Sequence, residues 1–102
     1  MANIYMLIFD ANMETKEDQK NYRMFLSLIK NKGYQYIQNS TYVRINYAVK
    51  HSLQHETTDV SKLTPSTIKV LILELTRLAY ENISKINNAF LPDIHEREVL
   101  IF

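Results

Sequence analysis

The apolar positions change period along the chain, and the changes mark its elements. Ile4-Tyr5-Met6-Leu7-Ile8-Phe9 is an unbroken apolar run closed by Asp10, which predicts a strand buried on both faces. A helical period follows. Tyr22, Phe25, Leu26 and Ile29 form one apolar stripe of a helix from about Lys16 to Asn31. Thr15 is placed as its N-cap, with Asp18 three residues on in capping-box position. Gly33, the single glycine, stands where a left-handed residue would end that helix. Tyr34 to Ile45 is rich in Tyr, Ile, Thr and Val and reads as one strand, with Asn39-Ser40 as a bend or bulge. Asn46 is positioned to cap a second helix with Val49, Leu53, Val60 and Leu63 inward, Thr57-Thr58-Asp59 as a point of interruption and Pro65 as its close. Ile68 to Leu75 is a second apolar strand, with Lys69 marking an end near solvent. Thr76-Arg77-Leu78 reads as a tight connection to a strand over Tyr80 to Ile86, and Asn87 to Glu96 as a polar loop. Glu98-Val99-Leu100-Ile101-Phe102 reads as a terminal strand that needs a sheet edge, its own or a partner's.

The order is therefore strand, helix, strand, helix, strand, strand, strand. It predicts an α+β fold, a ferredoxin-like sandwich in which an antiparallel-dominated sheet carries two helices on one face and an extra C-terminal strand. One domain spans 1–102, with 87–102 as loop plus terminal strand available to a dimer mate or another partner. Hydrophobic residues at 46% and charged residues at 23% are globular proportions and exclude a disordered or low-complexity chain. The absence of cysteine excludes disulfides, thiolate metal sites, iron–sulfur clusters and a cysteine nucleophile, and is compatible with the cytoplasm as the expected location. The longest apolar run, Ile4 to Phe9, is far below the ~18 residues of a membrane span, so no membrane partner is expected. A chain this short buries only roughly 60–70% of the surface it exposes when unfolded, which favours dimerisation.

Charge changes the picture through its distribution. Net charge is only +1, yet Gln19 to His55 contains Lys20, Arg23, Lys30, Lys32, Arg44 and Lys50 and no acid. All eleven acids lie elsewhere, against the other six bases. Such segregation predicts one basic and one acidic face, and a basic face attracts phosphate backbones. Lys16, Lys20 and Arg23 fall on neighbouring faces of the first helix and can follow such a backbone. Arg44 at the end of a strand and Lys50 at the start of the next helix are further candidate phosphate contacts. Asp10 closes a strand, where a carboxylate is well placed for a ligand. His51 and His55 stand four apart on a predicted helix, a spacing that can hold a metal, but no third ligand is apparent and an exposed pair is the simpler reading. Tyr34, Tyr36, Tyr42 and Tyr47 read as packing residues before base-stacking ones. Ser40 has no base placed by sequence to activate it.

Several segments, taken in order, resemble one family. They are Met6-Leu7-Ile8-Phe9-Asp10, then Met13-Glu14-Thr15-Lys16-Glu17-Asp18, Asn21-Tyr22-Arg23-Met24-Phe25, Lys32-Gly33-Tyr34, Gln38-Asn39-Ser40-Thr41-Tyr42-Val43-Arg44, the strand after Pro65 and the Val99-Leu100-Ile101-Phe102 tail. Together they resemble the CRISPR-associated protein two family, the small subunit of the CRISPR spacer-acquisition complex, in its type II-like form. Departures are Ala11-Asn12 where proline usually follows, Asn39 in place of an aromatic residue, and Ser66-Thr67 where glycine is common.

The resemblance implies a ferredoxin-like homodimer with the two Asp10 residues facing across the two-fold axis. It implies magnesium-dependent endonuclease activity on RNA or double-stranded DNA, with Asp10 as metal ligand and catalytic residue. It further implies a bridge between two dimers of the CRISPR integrase subunit that grips a double-stranded DNA prespacer through its backbone. Arg77 lies at an end of the sheet that in this family meets DNA. The terminal strand would swap onto a partner's sheet or meet the integrase. Two other functions fit the same fold: a stand-alone toxin-type endoribonuclease, and a regulatory module that binds a small ligand.

Overall fold

The computed structural model describes residues 2–47 and 50–94. The elements are β1 (Asn3–Ala11), α1 (Lys16–Lys32), β2 (Gln35–Gln38), β3 (Thr41–Asn46), α2 (Leu53–Ser61), β4 (Ile68–Leu75) and α3 (Arg77–Glu81). The four strands form one sheet in the order β2-β3-β1-β4, with every neighbouring pair antiparallel. Through β4 this is the βαββαβ order of a ferredoxin-like fold.

α1 starts and stops where its caps dictate. The Thr15 hydroxyl accepts from the Asp18 N–H at 3.0 Å, and the Asp18 carboxylate accepts from the Thr15 N–H at 3.1 Å. Gly33 ends the helix at φ 113°, a left-handed angle that glycine adopts without steric cost. The segment expected as one bent strand is a hairpin instead. Asn39-Ser40 turns the chain, with Ser40 at φ 59°, and β2 folds back so that Tyr36 opposes Tyr42. Those two rings pack edge to face at 5.5 Å. The one additional strand is what completes the βαββαβ order.

The second helix also differs from expectation. Ser52, not Asn46, caps α2 by accepting from the His55 N–H at 3.2 Å, while Asn46 ends β3 opposite Asn3. Thr57-Thr58-Asp59 does not interrupt the helix, because Thr57 and Thr58 face solvent while Glu56 and Val60, four apart, face inward. Tyr80 to Ile86 is not a strand. The Thr76 hydroxyl caps α3 by accepting from the Ala79 N–H, and the Tyr80 ring turns inward to donate its hydroxyl to the Pro92 carbonyl at 2.5 Å. The expected terminal strand over 98–102 lies outside the described residues.

Both longer helices cover one face of the sheet. Tyr5, Leu7 and Phe9 of β1 pack there with Phe25 and Ile29 of α1, Tyr42 of β3 and Val60 of α2. Phe9 is central, its ring within 6.0 Å of Tyr22, Phe25 and Tyr42. The opposite face is covered only in part. Ile4 and Val43 are sealed there by Tyr80, Ile83, Leu91 and Ile94, but Ile8, Leu71 and Leu73 remain exposed. β1 is thus not buried on both faces along its length, because the described chain after β4 reaches over only half of the second face. No helix among the described residues is long and apolar enough to cross a membrane.

Candidate functional site

Asp10 sits one residue before the end of β1, on the open face, because alternation along the strand puts Ile4, Met6, Ile8 and Asp10 on one side. Its cross-strand neighbour in β4 is Lys69. Asp10, Ala11, Asn12, Ser66, Thr67 and Lys69 line an open cavity of about 520 Å³. The turn is held by the Asn12 N–H donating to the Thr67 carbonyl at 3.1 Å, and the Asn12 Oδ1 accepts from the Glu14 N–H. The Thr67 hydroxyl is buried without a hydrogen-bond partner among the described residues. One carboxylate, an amide oxygen and two hydroxyls are hard oxygen donors. That donor set fits a cation such as magnesium, which keeps most of its water and takes one or two carboxylates.

The candidate phosphate contacts do not gather around Asp10. Lys16, Lys20 and Arg23 are exposed on α1, which packs on the other side of the sheet. Lys50 is exposed just before α2 rather than inside it. Arg77 opens α3 rather than a turn between strands, and its Nε–H donates to Glu81 at 3.1 Å. Arg44 lies within β3 and points at Glu56. Of the four tyrosines, Tyr34 and Tyr42 are buried as packing residues, whereas Tyr36 and Tyr47 are exposed.

The charge hub of the molecule is a residue the sequence reading did not single out. Glu56 is fully buried. Its Oε2 accepts from the Tyr34 hydroxyl at 2.5 Å, and its Oε1 accepts from Arg44 Nη1 at 2.5 Å. His51 Nε2 lies 2.8 Å from Oε1, and Lys32 Nζ 3.6 Å. An ionised carboxylate only accepts, so the His51 Nε2 carries the hydrogen that points at it. Burial pushes the Glu56 carboxyl up. The Tyr34 and His51 hydrogen bonds and the Arg44 and Lys32 charges outweigh burial and hold it below its ordinary range. Burial first, and then the same contact with Glu56, raise the Tyr34 hydroxyl far above its ordinary value.

Glu56 therefore draws Lys32 and Arg44 out of the expected basic face. The one signal for it in the sequence is that Glu56 is the first acid after the acid-free stretch.

His51 precedes α2, so the two histidines are not a helical pair. Their rings lie 5.8 Å apart and tilted. Glu56 and Asp59, absent from the expected ligand set, lie with His51 so that ligand atoms of all three fall within 4.8 Å of one another. Lys32 reaches Asp59 at 3.3 Å as well as Glu56. With an ammonium and a guanidinium already on these carboxylates, the cluster is a closed ion network and does not fit a metal ion.

No protein-family model matches the chain. Two curated relatives do. The CRISPR-associated endoribonuclease Cas2 of Ligilactobacillus salivarius (strain UCC118) is 36% identical over 77 residues, covering 76% of this chain and 75% of that protein. The CRISPR-associated endoribonuclease Cas2 of Lacticaseibacillus rhamnosus (strain ATCC 53103 / LMG 18243 / GG) is 31% identical over the same length and shares.

Proposed function

Because the chain belongs to the Cas2 family of CRISPR-associated endoribonucleases, we propose that it works as a homodimer that cleaves RNA phosphodiesters through Asp10 and serves spacer acquisition in the cytoplasm. One observation carries this reading. Asp10 has no intramolecular partner among the described residues and lies on the same half-open face as the exposed Ile8, Leu71 and Leu73. A contiguous apolar surface of this kind marks an association site. A second copy laid on it two-fold would cover the apolar residues and bring a second Asp10 toward the first, supplying the carboxylate that one protomer lacks.

In that arrangement Asp10 would hold the metal, and the Ser66 and Thr67 hydroxyls would offer neutral oxygens. Magnesium bound there would supply a water of lowered pKa and charge stabilisation at the phosphate. Asp10 is the single carboxylate among the described residues that line the cavity, which no histidine lines, and this supports the catalytic role proposed for it. In spacer acquisition the same dimer bridges two integrase dimers, and the exposed Lys16, Lys20, Arg23, Lys50 and Arg77 contact the prespacer backbone without reading sequence. Arg44, engaged by Glu56, is the least available of the six candidates. The terminal strand, 98–102, would meet the partner's sheet or the integrase.

The test combines light scattering with a cleavage assay. The purified chain should have dimer mass and should cleave single-stranded RNA with magnesium but not with chelator. Asp10→Ala should abolish cleavage and leave integration intact. Mixed with the integrase subunit of the same genome, it should give the mass of two integrase dimers around one dimer of this chain. Cleavage without that complex, with or without a prespacer duplex, would move the assignment to the stand-alone endoribonuclease.

A further inference from the structure

We propose that Lys69, with the hydroxyls of Ser66 and Thr67, forms a phosphate-binding wall directly beside Asp10, so that one cavity holds both the anionic and the cationic half of a metal–phosphodiester unit. The inference rests on the nuclease reading for its biological use but not for its physics.

Asp10 and Lys69 are direct partners in the β1–β4 ladder, and directly opposed side chains share a face with Cβ atoms roughly 5 Å apart. A carboxylate and an ammonium so placed would ordinarily pair. Here neither makes an ion pair or a hydrogen bond among the described residues, and both line the same 520 Å³ cavity. Two opposite charges that leave each other free are both available to a third body. The lining adds two hydroxyls, one of them the buried Thr67 Oγ1, which has no partner among the described residues. A hydroxyl can donate to a phosphate oxygen, and an ammonium meets phosphate as a compact point charge. A free metal ion alone would gain nothing from Lys69, and a free anion alone would be repelled by Asp10. A phosphodiester carrying a divalent cation satisfies both walls at once. The ligand class is therefore the backbone of a nucleic-acid strand, contacted without base readout.

The experiment measures binding of a labelled 12-nucleotide single-stranded RNA by fluorescence anisotropy over a salt series, with calcium in place of magnesium so that a divalent cation is present and cleavage plays no part. Lys69→Ala should weaken binding by roughly 5–10-fold and lower the salt slope by about one, as loss of a single phosphate contact does. Lys69→Arg should keep most of the affinity. Lys85→Ala, outside the cavity, should bind as wild type. Asp10→Asn should bind more weakly than wild type with calcium present and more tightly when chelator replaces it, because the carboxylate then only repels phosphate.

Equal affinity for wild type and Lys69→Ala overturns the proposal. So does no measurable RNA binding by wild type, or a Lys69→Ala protein whose only change is lost dimer mass, since Lys69 would then bridge protomers. The nuclease reading fails separately. If the binding pattern appears but wild type shows no magnesium-dependent cleavage, the phosphate wall stands without the chemistry. If cleavage depends on Asp10 while Lys69→Ala binds normally, the chemistry stands and the wall falls.

Discussion

Two charged regions of this molecule obey opposite rules. Around Glu56 every charge is answered from within. One fully buried carboxylate on α2 meets a tyrosine hydroxyl, a guanidinium, a histidine and an ammonium contributed by α1, β3 and the segments that follow α1 and precede α2. Around Asp10 nothing is answered among the described residues. The carboxylate is exposed, and its cross-strand lysine leaves it unpaired. Charges satisfied internally hold elements together and are closed to ligands. Charges left free on a cavity wall add nothing to the fold and are open to chemistry. The more impressive cluster of acids and histidine is thus the closed one, and the sparse site is the one left open to a ligand.

Glu56→Ala should break this contrast hardest. Removing one partner of a buried ion network leaves the remaining charges uncompensated and costs about 3–5 kcal/mol. Urea unfolding should show the loss as a lower midpoint with an unchanged slope. A loss under about 1 kcal/mol would mean the cluster is solvated and the two regions are alike.

The same contrast can be drawn by pH alone. The Glu56 carboxyl is held below its ordinary value, so its contribution is complete above about pH 4.3 and is lost as pH falls through the folded-state value. The Tyr34 hydroxyl is raised, so its contribution is complete below about pH 10 and is lost as pH rises beyond that. Thermal unfolding should therefore fall off at both extremes in wild type, and the acid limb should flatten in Glu56→Gln.

Tyr34→Phe removes one hydrogen bond to a charged group and should cost about 1.5–3 kcal/mol. Asp10→Asn should change stability by less than about 0.5 kcal/mol, as expected for an exposed residue without partners among the described residues, while cleavage is lost. A large destabilisation there would place Asp10 among the structural charges instead. Smallest of all, Tyr5→Phe should be neutral or slightly stabilising. The Tyr5 hydroxyl is buried without a partner among the described residues, so its removal relieves a desolvated group rather than breaking a bond.

What the amino-acid order determined by itself is local. α1 was legible to within a residue because its signals act over three or four positions, from Thr15 to Asp18 and from Ile29 and Lys30 to Gly33. β4 was legible because Ile68 to Leu75 is apolar without interruption, and Asp10 stood out as the residue that closes the first such run. Where two states share a composition, local signals did not suffice. Tyr34 to Ile45 suits one strand or two, and the choice of a hairpin came from burying Tyr42 beside Phe9 and Leu7. Tyr80 to Ile86 suits a strand, yet Thr76 capping and the Tyr80–Pro92 hydrogen bond make it a helix followed by a cover for the half-open face.

The two sites were decided by tertiary structure alone. Glu56 became a hub only when the chain brought Tyr34 and Arg44, 22 and 12 residues away, onto its carboxylate. Lys69 met Asp10 only through the register of β1 against β4. Periodicity tells which face of a strand a residue occupies. Which residue of another strand it faces is set by register, and register belongs to the packed whole.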